Sequence, residues 1–494
     1  MRVAINNRGE VAVRIIRTCQ ELGFTSILLH SSPDKNTIAY RMADETVELT
    51  GSSSLETYLN IPVVVNSALS AKAELLHPGF GFLSENAEFV VALESAGITF
   101  VGPSAKSIFT AGNKIKAKEL AKANNVPVTP AYTGSETDPA KLLAEVRKIG
   151  FPCIVKAASG GGGKGMKVVE HDSDFFELLS SAQREAKNAF GSDQVFIERY
   201  IQKPRHIEVQ ILCDTRGKRL HFFERECSIQ RRHQKIFEET PSTAITPELR
   251  DKITAAALKI AEAADYTNAG TVEFLLDEKN NFYFMELNTR LQVEHTVTEL
   301  VCGVDLVRLQ FAIALGHELE IEQTDISQRG HALEVRIYAE NPALEFLPSP
   351  GTIQELHLPL GPHRRFDFGY DVGDTITPNY DPMIGKIITW APTREENLRR
   401  MYSTLCETVI FGVHTNIEFL KSVLLNKKYQ MNNVSTRFLE EEYKGSFKLS
   451  ELTETQKEFA KTAAQKSTTS TGNQNGSDLS NNSGLRYQSP WVTS

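Results

Sequence analysis

The amino-acid sequence predicts an α/β protein with a parallel-sheet N-terminal unit and a smaller α+β unit further along, on three observations. Residues 1–112 alternate short apolar runs with helical patterns, the rhythm of βαβ units. Residues 151–169 run strand, glycine loop, strand. Residues 331–446 are mostly strand-like, with a helical finish. The chain has 494 residues, more than one core holds, so two to four packed units are expected.

Taken in order, Arg2–Ile5 reads as a strand, Glu10–Leu22 as a helix and Thr25–His30 as the next strand. The apolar runs Ile61–Val65, Glu74–His77 and Thr99–Gly102 continue the strand series, with helices between them. No G-x-G-x-x-G follows the first strand, so this half does not read as a dinucleotide site. A helix over Ala111–Asn124 leads to the strand Phe151–Lys156, the loop Ser159–Gly165 and the strand Met166–Val169. Strands such as Ile207–Leu212 and Leu220–Glu226 then surround a dense set of charged residues. A short helix is expected around Glu451–Ala464. Beyond it, Gln465–Ser483 is almost entirely Ser, Thr, Asn, Gln, Gly and Lys, too poor in apolar surface to offset its ordering entropy. Trp491 close behind reads equally as a docking residue or a chance aromatic.

Composition excludes several classes. Hydrophobic residues make up 41% and charged residues 23%, as in soluble globular proteins. A net charge of −8 without a basic arm argues against nucleic-acid binding. Six scattered cysteines lack any C-x-x-C spacing, which fits reduced thiols and no structural zinc. The chain opens directly on a strand-like segment and contains no long apolar span, so the expectation is a cytoplasmic protein with no membrane contact.

The segment Gly270–Glu286 reads as a β-hairpin around the turn-forming Glu278–Asn281. With a four-residue loop, Asp277 faces Phe282, and counting outward sets Glu273 opposite Glu286. Two acids so placed repel each other, and a hard divalent cation such as Mg²⁺ removes the conflict. The alternative is an exposed face carrying two unrelated acids. Next come Glu286, Asn288, Arg290, Gln292 and Glu294, polar at a period of two, with Leu287, Leu291 and Val293 between them. In an extended backbone these five share one face, a candidate reaction centre. Arg290 is then expected to hold Glu294 ionised.

Lys156 and the loop Ser159–Gly165 read as a phosphate-covering lid, because glycines let backbone N–H groups approach an anion. Taken alone, the loop fits an ordinary turn equally well. It is not a P-loop, since no Gly-Lys-Ser/Thr ends it. Asp367-Phe-Gly369 suggests a protein kinase only until order is considered: the lysine precedes the loop and no His-Arg-Asp exists. In the cluster Glu224–Lys235, residues Gln230, His233 and Lys235 suit a ribose and anions, although a solvated loop explains such a run too. His206 taken singly is structural as readily as functional.

Together the motifs Asn7-Arg-Gly-Glu10, His77-Pro-Gly-Phe-Gly-Phe-Leu-Ser-Glu-Asn86, the glycine loop, Cys227–Lys235, Glu286–His295, Gly330–Arg336 and Phe346–Gly351 resemble the biotin carboxylase family of ATP-grasp enzymes over about residues 1–445. The resemblance implies an ATP-grasp fold: a Rossmann-like domain over 1–112, an ATP-grasp domain over 113–330 with a mobile lid at about 128–202, a C-terminal domain over 331–446 and a tail over 447–494. It implies that ATP phosphorylates bicarbonate to carboxyphosphate, whose CO₂ passes to N1′ of biotin. By resemblance, Lys114, Lys156, Gly161, Gly162, Gly163, Glu198, Ile201, His206, Gln230, His233 and Leu275 bind ATP, with Glu273 and Glu286 beside them. Glu273, Glu286 and Asn288 hold Mg²⁺ (or Mn²⁺). Lys235, Arg290, Gln292, Val293, Glu294 and Arg336 form the bicarbonate and biotin pocket, with Glu294 the base, Arg290 the cation facing the biotin enolate, and Lys235 a third catalytic group.

Two departures from the family pattern stand out: Phe80 where Tyr is usual, and Ser159 in the loop. The only Met-Lys pair lies within Gly165–Val168, not in a biotin-attachment turn, and no transferase-sized region remains. The expectation is therefore a separate biotinyl carrier protein and carboxyltransferase subunit, in an acyl-CoA carboxylase, with acetyl-CoA favoured as acceptor. A homodimer is what the family suggests. Rival expectations are a carbamoyl-phosphate type of ATP-grasp ligase and a scaffold that binds nucleotide without turnover.

Overall fold

Val3, Ala4 and Ile5 are all buried, so the first strand shows no alternation, as expected inside a parallel sheet covered on both faces. The computed structural model describes residues 1–462 apart from 133–135, 137, 158–165, 233, 446, 448–453, 455–456 and 459–460. Within it, β1 (Arg2–Ile5), β2 (Thr25–His30), β3 (Glu45–Glu48), β4 (Leu75–His77) and β5 (Thr99–Phe100) form a parallel sheet in the order β3-β2-β1-β4-β5. That is the doubly wound, Rossmann-like order.

Two expectations fail here. Ile61–Val65 is not a strand but the start of the helix Ile61–Ser70. Asn60 caps it, accepting from the Val63 N–H at 3.2 Å, and Pro62 sits in the first turn, so capping outweighs the β-branched run. The expected helix Ala111–Asn124 is two helices, Ala105–Gly112 and Lys114–Ala123. Asn113 breaks it by capping the second helix through the Lys116 N–H at 3.0 Å.

A small antiparallel sheet follows, ordered β6-β9-β7-β8, from β6 (Ala131–Tyr132), β7 (Cys153–Ala157), β8 (Lys167–Val169) and β9 (Val195–Arg199). Val146, Cys153, Phe175 and Ile197 give it a core of its own.

The main sheet has eight strands. β14 (Phe282–Asn288), β13 (Asn268–Leu276), β10 (Arg205–Cys213), β11 (Arg219–Arg231), β12 (Gln234–Thr240) and β15 (His331–Tyr338) lie side by side, followed by the strands Met383–Ala391 and Arg364–Phe368. Every pairing is antiparallel. The sheet therefore runs without a break across residue 330, joined where β12 pairs with β15.

The Asp367-Phe-Gly369 string has a packing explanation. A Cβ on Gly369 would lie 2.6 Å from Gly9 Cα and Glu10 N, so only glycine lets this corner meet the start of the helix Gly9–Glu21. None of the six cysteines forms a disulfide. Among the described residues no helix is long and apolar enough to cross a membrane. Residues 451–494 form a second unit, in which 454, 457, 458, 461 and 462 are helical. The expected tail and Trp491 lie outside the described residues.

Candidate functional site

The hairpin does place Glu273 opposite Glu286, by a different route from simple counting. The turn is one residue longer, since Leu276 faces Phe282 and the Asp277 N–H donates to Asn281 O at 2.9 Å. A β-bulge at Met285, between the pairs Phe274–Phe284 and Glu273–Glu286, takes the slip back. Beyond Asn288 the backbone does not stay extended: β14 ends there, Arg290 is at a bend, and Val293–Glu294 form a turn into the helix His295–Cys302. Glu286, Asn288, Arg290 and Gln292 nevertheless line a cavity of about 890 Å³, whose walls also carry Lys114, Lys156, Ile201, Leu275 and Phe80, while the buried Glu294 meets it only through the lining residues Lys235 and Arg336.

At its centre is the ammonium of Lys235. It donates to Glu273 at 2.8 Å, to Glu294 at 2.7 Å, and to Glu208. His206 Nε2 lies 3.1 Å from Glu273, and Gln230 Nε2 lies 2.9 Å from His206 Nδ1. Burial alone would raise the pKa of Glu273, but Lys235 and His206 outweigh it and hold the carboxyl well below its ordinary range. Glu208 also meets the fully buried Arg225, which is tied to Gln210, Thr271 and Thr298. Two groups, His206–Glu208–Glu273 and Glu208–Cys227–Glu294, are tight enough to ring a cation. Lys235 already serves both as that cation.

Arginines line the neighbouring wall. Arg290 donates to Glu85 at 2.9 Å, to Gln292 at 2.8 Å, and more loosely to Asn288 at 3.4 Å. Arg336 bridges Glu238 at 2.7 Å and Glu294 at 3.0 Å. Glu294 is fully buried, which favours its neutral form, yet Lys235, Arg336 and Arg225 hold it well below the usual carboxylate range. Arg290 also acts on Glu294, as expected, but Lys235, Arg336 and Arg225 act more strongly, and the hydrogen bonds of Arg290 go to Glu85, Gln292 and Asn288.

At the far end, Lys114 pairs with Glu286 at 3.1 Å and Lys156 with Glu198 at 2.7 Å. Lys118 joins Glu198 and donates to Thr129 at 3.0 Å. Gly161, Gly162, Gly163, Lys164 and His233 lie outside the described residues. Glu85, Lys118, Glu208 and Arg225 were not singled out from the sequence. Lys118 stands one helical turn after Lys114, and Glu208 is two residues after His206 on one strand face, so periodicity held both signals.

The donor set fits a hard divalent cation. Glu273, Glu286 and Asn288 supply carboxylate and amide oxygens, the amide oxygen being met, among the described residues, only by Arg290 at a loose 3.4 Å. Each of the two acids is met by a lysine ammonium, so the place already attracts positive charge.

Residues 1–108 match the family model described as "Biotin carboxylase, N-terminal domain", residues 113–322 "Carbamoyl-phosphate synthase L chain, ATP binding domain", and residues 334–441 "Biotin carboxylase C-terminal domain". The chain is 45% identical over 440 residues to a biotin carboxylase of Nostoc sp., covering 89% of this chain and 98% of that one. It is 44% identical over 444 residues to a pyruvate carboxylase subunit of Methanothermobacter thermautotrophicus, covering 90% of each. The biotin carboxylase domain dimer of Hydrogenobacter thermophilus 2-oxoglutarate carboxylase, solved with MgADP, ADP and bicarbonate, superposes with a TM-score of 0.87 at 42% identity, over 89% of this chain and 97% of that one.

Proposed function

Because the chain belongs to the biotin carboxylase family, and is thus an ATP- and Mg²⁺-dependent ligase of ATP-grasp fold that carboxylates biotin, we propose that its buried Glu294 is the base that activates bicarbonate. The observation that carries this is the carboxylate's setting: fully buried, ionised, and fixed by Lys235 and Arg336 at the cavity wall. A base so held needs no reorganisation to take the bicarbonate proton. The deprotonated oxygen attacks the γ-phosphorus, giving carboxyphosphate and ADP; carboxyphosphate then splits into CO₂ and phosphate, the phosphate takes the N1′ proton, and N1′ of biotin bonds to the CO₂. Arg290 and Arg336 face the negative charge that develops on the biotin ureido oxygen. Lys235 and Gln292, with the Val293 wall, orient bicarbonate.

ATP lies toward Lys114, Lys156, Glu198, Ile201, His206, Gln230 and Leu275, and the resemblance adds Gly161, Gly162, Gly163 and His233 as further ATP contacts. Glu273, Glu286 and Asn288 would hold Mg²⁺, which when bound neutralises charge on the phosphate oxygens. The domains follow the same division: 1–112, 113–330 with its lid, 331–446 and a tail. The carrier and transferase are separate polypeptides, the chain forms a homodimer, its compartment is the cytoplasm, and the final acceptor is acetyl-CoA. Likeness along nearly the whole of a protein named simply biotin carboxylase supports a separate carboxylase subunit, and the dimer of the Hydrogenobacter thermophilus domain supports the homodimer. The test is ADP release with and without bicarbonate, its stimulation by free biotin, and then reconstitution with carrier and transferase on acetyl-CoA against pyruvate. ATP cleavage indifferent to bicarbonate defeats the base assignment; carboxylation of pyruvate alone moves the acceptor.

A further inference from the structure

The Asn7-Arg-Gly-Glu10 motif has no part in the chemistry above, yet it buries an acid at a costly place. Glu10 is 3% exposed, and neither of its carboxylate oxygens has a hydrogen-bond partner. Its ion-pair partner is Lys386, 3.5 Å away and wholly buried in the strand Met383–Ala391. A buried pair of this kind adds little to stability, because desolvation offsets most of its attraction. What it does contribute is position.

Lys386 stands directly across from Arg336 on one side and from Asp367 on the other, so its side chain rises on the same sheet face as Arg336. From there its ammonium donates to the backbone carbonyl of Val293. Val293 lines the cavity and is followed by Glu294, so this one donor holds the turn from which the base projects. A planar trans peptide couples the two: fixing Val293 O also fixes the direction of the Glu294 N–H. Glu10 in turn cannot drift, because Gly9 is pressed against Gly369 at a distance that admits no Cβ. A chain of contacts thus runs from the N-terminal helix through Lys386 to the turn.

We propose that Lys386, clamped by Glu10, is a positioning residue that sets the Val293–Glu294 turn for bicarbonate. This rests on Glu294 being the base. It touches no substrate itself, and its effect should fall on bicarbonate rather than on ATP. Three further charged groups face the ammonium, Glu334 on β15 and Asp367 and Arg365 on the strand Arg364–Phe368, but none of them reaches the turn.

The experiment compares wild type, Lys386→Met, Glu10→Gln and the double variant. Bicarbonate-dependent ADP release gives kcat and KM for bicarbonate and for ATP, and calorimetry with a non-hydrolysable ATP analogue counts folded sites. Lys386→Met should lower kcat/KM for bicarbonate about tenfold or more, with analogue affinity within about twofold of wild type. Glu10→Gln, which keeps size, should show the same pattern more weakly. In the Lys386→Met background it should add little, because the two act as one device. If Lys386→Met does not fold, Glu10→Gln alone decides by the same split. Weaker binding of the ATP analogue in step with the loss of bicarbonate efficiency, or unchanged bicarbonate kinetics in folded protein, overturns the proposal. A wild type with no bicarbonate dependence at all fails the base assignment instead.

Discussion

Glu294 and its amide analogue differ by one oxygen, and that oxygen carries the proposed chemistry. Replacing Glu294 with Gln should keep Mg–ATP binding and lower bicarbonate-dependent ADP release by about 10²–10⁴-fold, the usual worth of a placed base. A folded variant cleaving ATP at a normal rate in response to bicarbonate would mean that another group takes the proton. Glu273→Gln should instead abolish Mg²⁺-dependent ATP cleavage while thermal unfolding stays cooperative; calorimetric titration with MgATP separates the two outcomes. At this scale much of the site was legible in the sequence, because polar residues recurring at a short period are rarely idle, even though only Glu286 and Asn288 of the row lie on the strand. Glu85, Lys118, Glu208 and Arg225 escaped because each is an ordinary charged residue until the fold brings the first three beside Arg290, Glu198 and Lys235, and Arg225 beside Glu208.

Among elements, the hairpin shows how a right pair can follow from a wrong count. A four-residue loop and a regular ladder lead to Glu273 opposite Glu286; so do a longer turn and a bulge at Met285. Neither departure leaves a mark in the residue types, since Met is an ordinary strand residue. Ile61–Val65 failed for a different reason: its β-branched run signals a strand, while Asn60 and Pro62 start a helix, and the local cap decided. The join between β12 and the helix Arg394–Glu407 gives a prediction about pH. Glu239 on β12 accepts from Arg394 at 2.6 Å and lies 2.9 Å from His331 Nε2. Burial opposes its charge, but Arg394 and His331 prevail and bring its pKa from 4.5 down to about 2. A depressed folded pKa stabilises fully above the unfolded value and is lost as pH falls through the folded one. Glu239→Gln should therefore cost about 3–5 kcal/mol at pH 7, with the gap from wild type shrinking between about pH 4.5 and pH 2. Denaturant titrations at pH 7 and pH 3 check this; an equal deficit at both would exclude the ion pair as its source.

For the whole molecule, the composition of the chain separates an apolar-patterned stretch up to about residue 446 from a polar tail over 465–483, which lies outside the described residues. Removing residues 465–494, of which 465–483 are almost entirely polar, should leave carboxylation of free biotin unchanged. A fall in that activity would assign the segment to the catalytic fold, while weaker capture of the carrier alone would assign it to docking. The main sheet's continuity was not visible beforehand, because strand patterns on either side of residue 330 do not say which strands become neighbours. Its consequence concerns heredity more than chemistry. A gene divided at residue 330 would yield two polypeptides, one whose sheet has β12 as a bare edge and the other whose sheet has β15 as one, each a sticky border inviting the wrong company. Fusions, fissions and shuffled modules that respect the protein must therefore cut elsewhere, and the two halves of this sheet have to be inherited together.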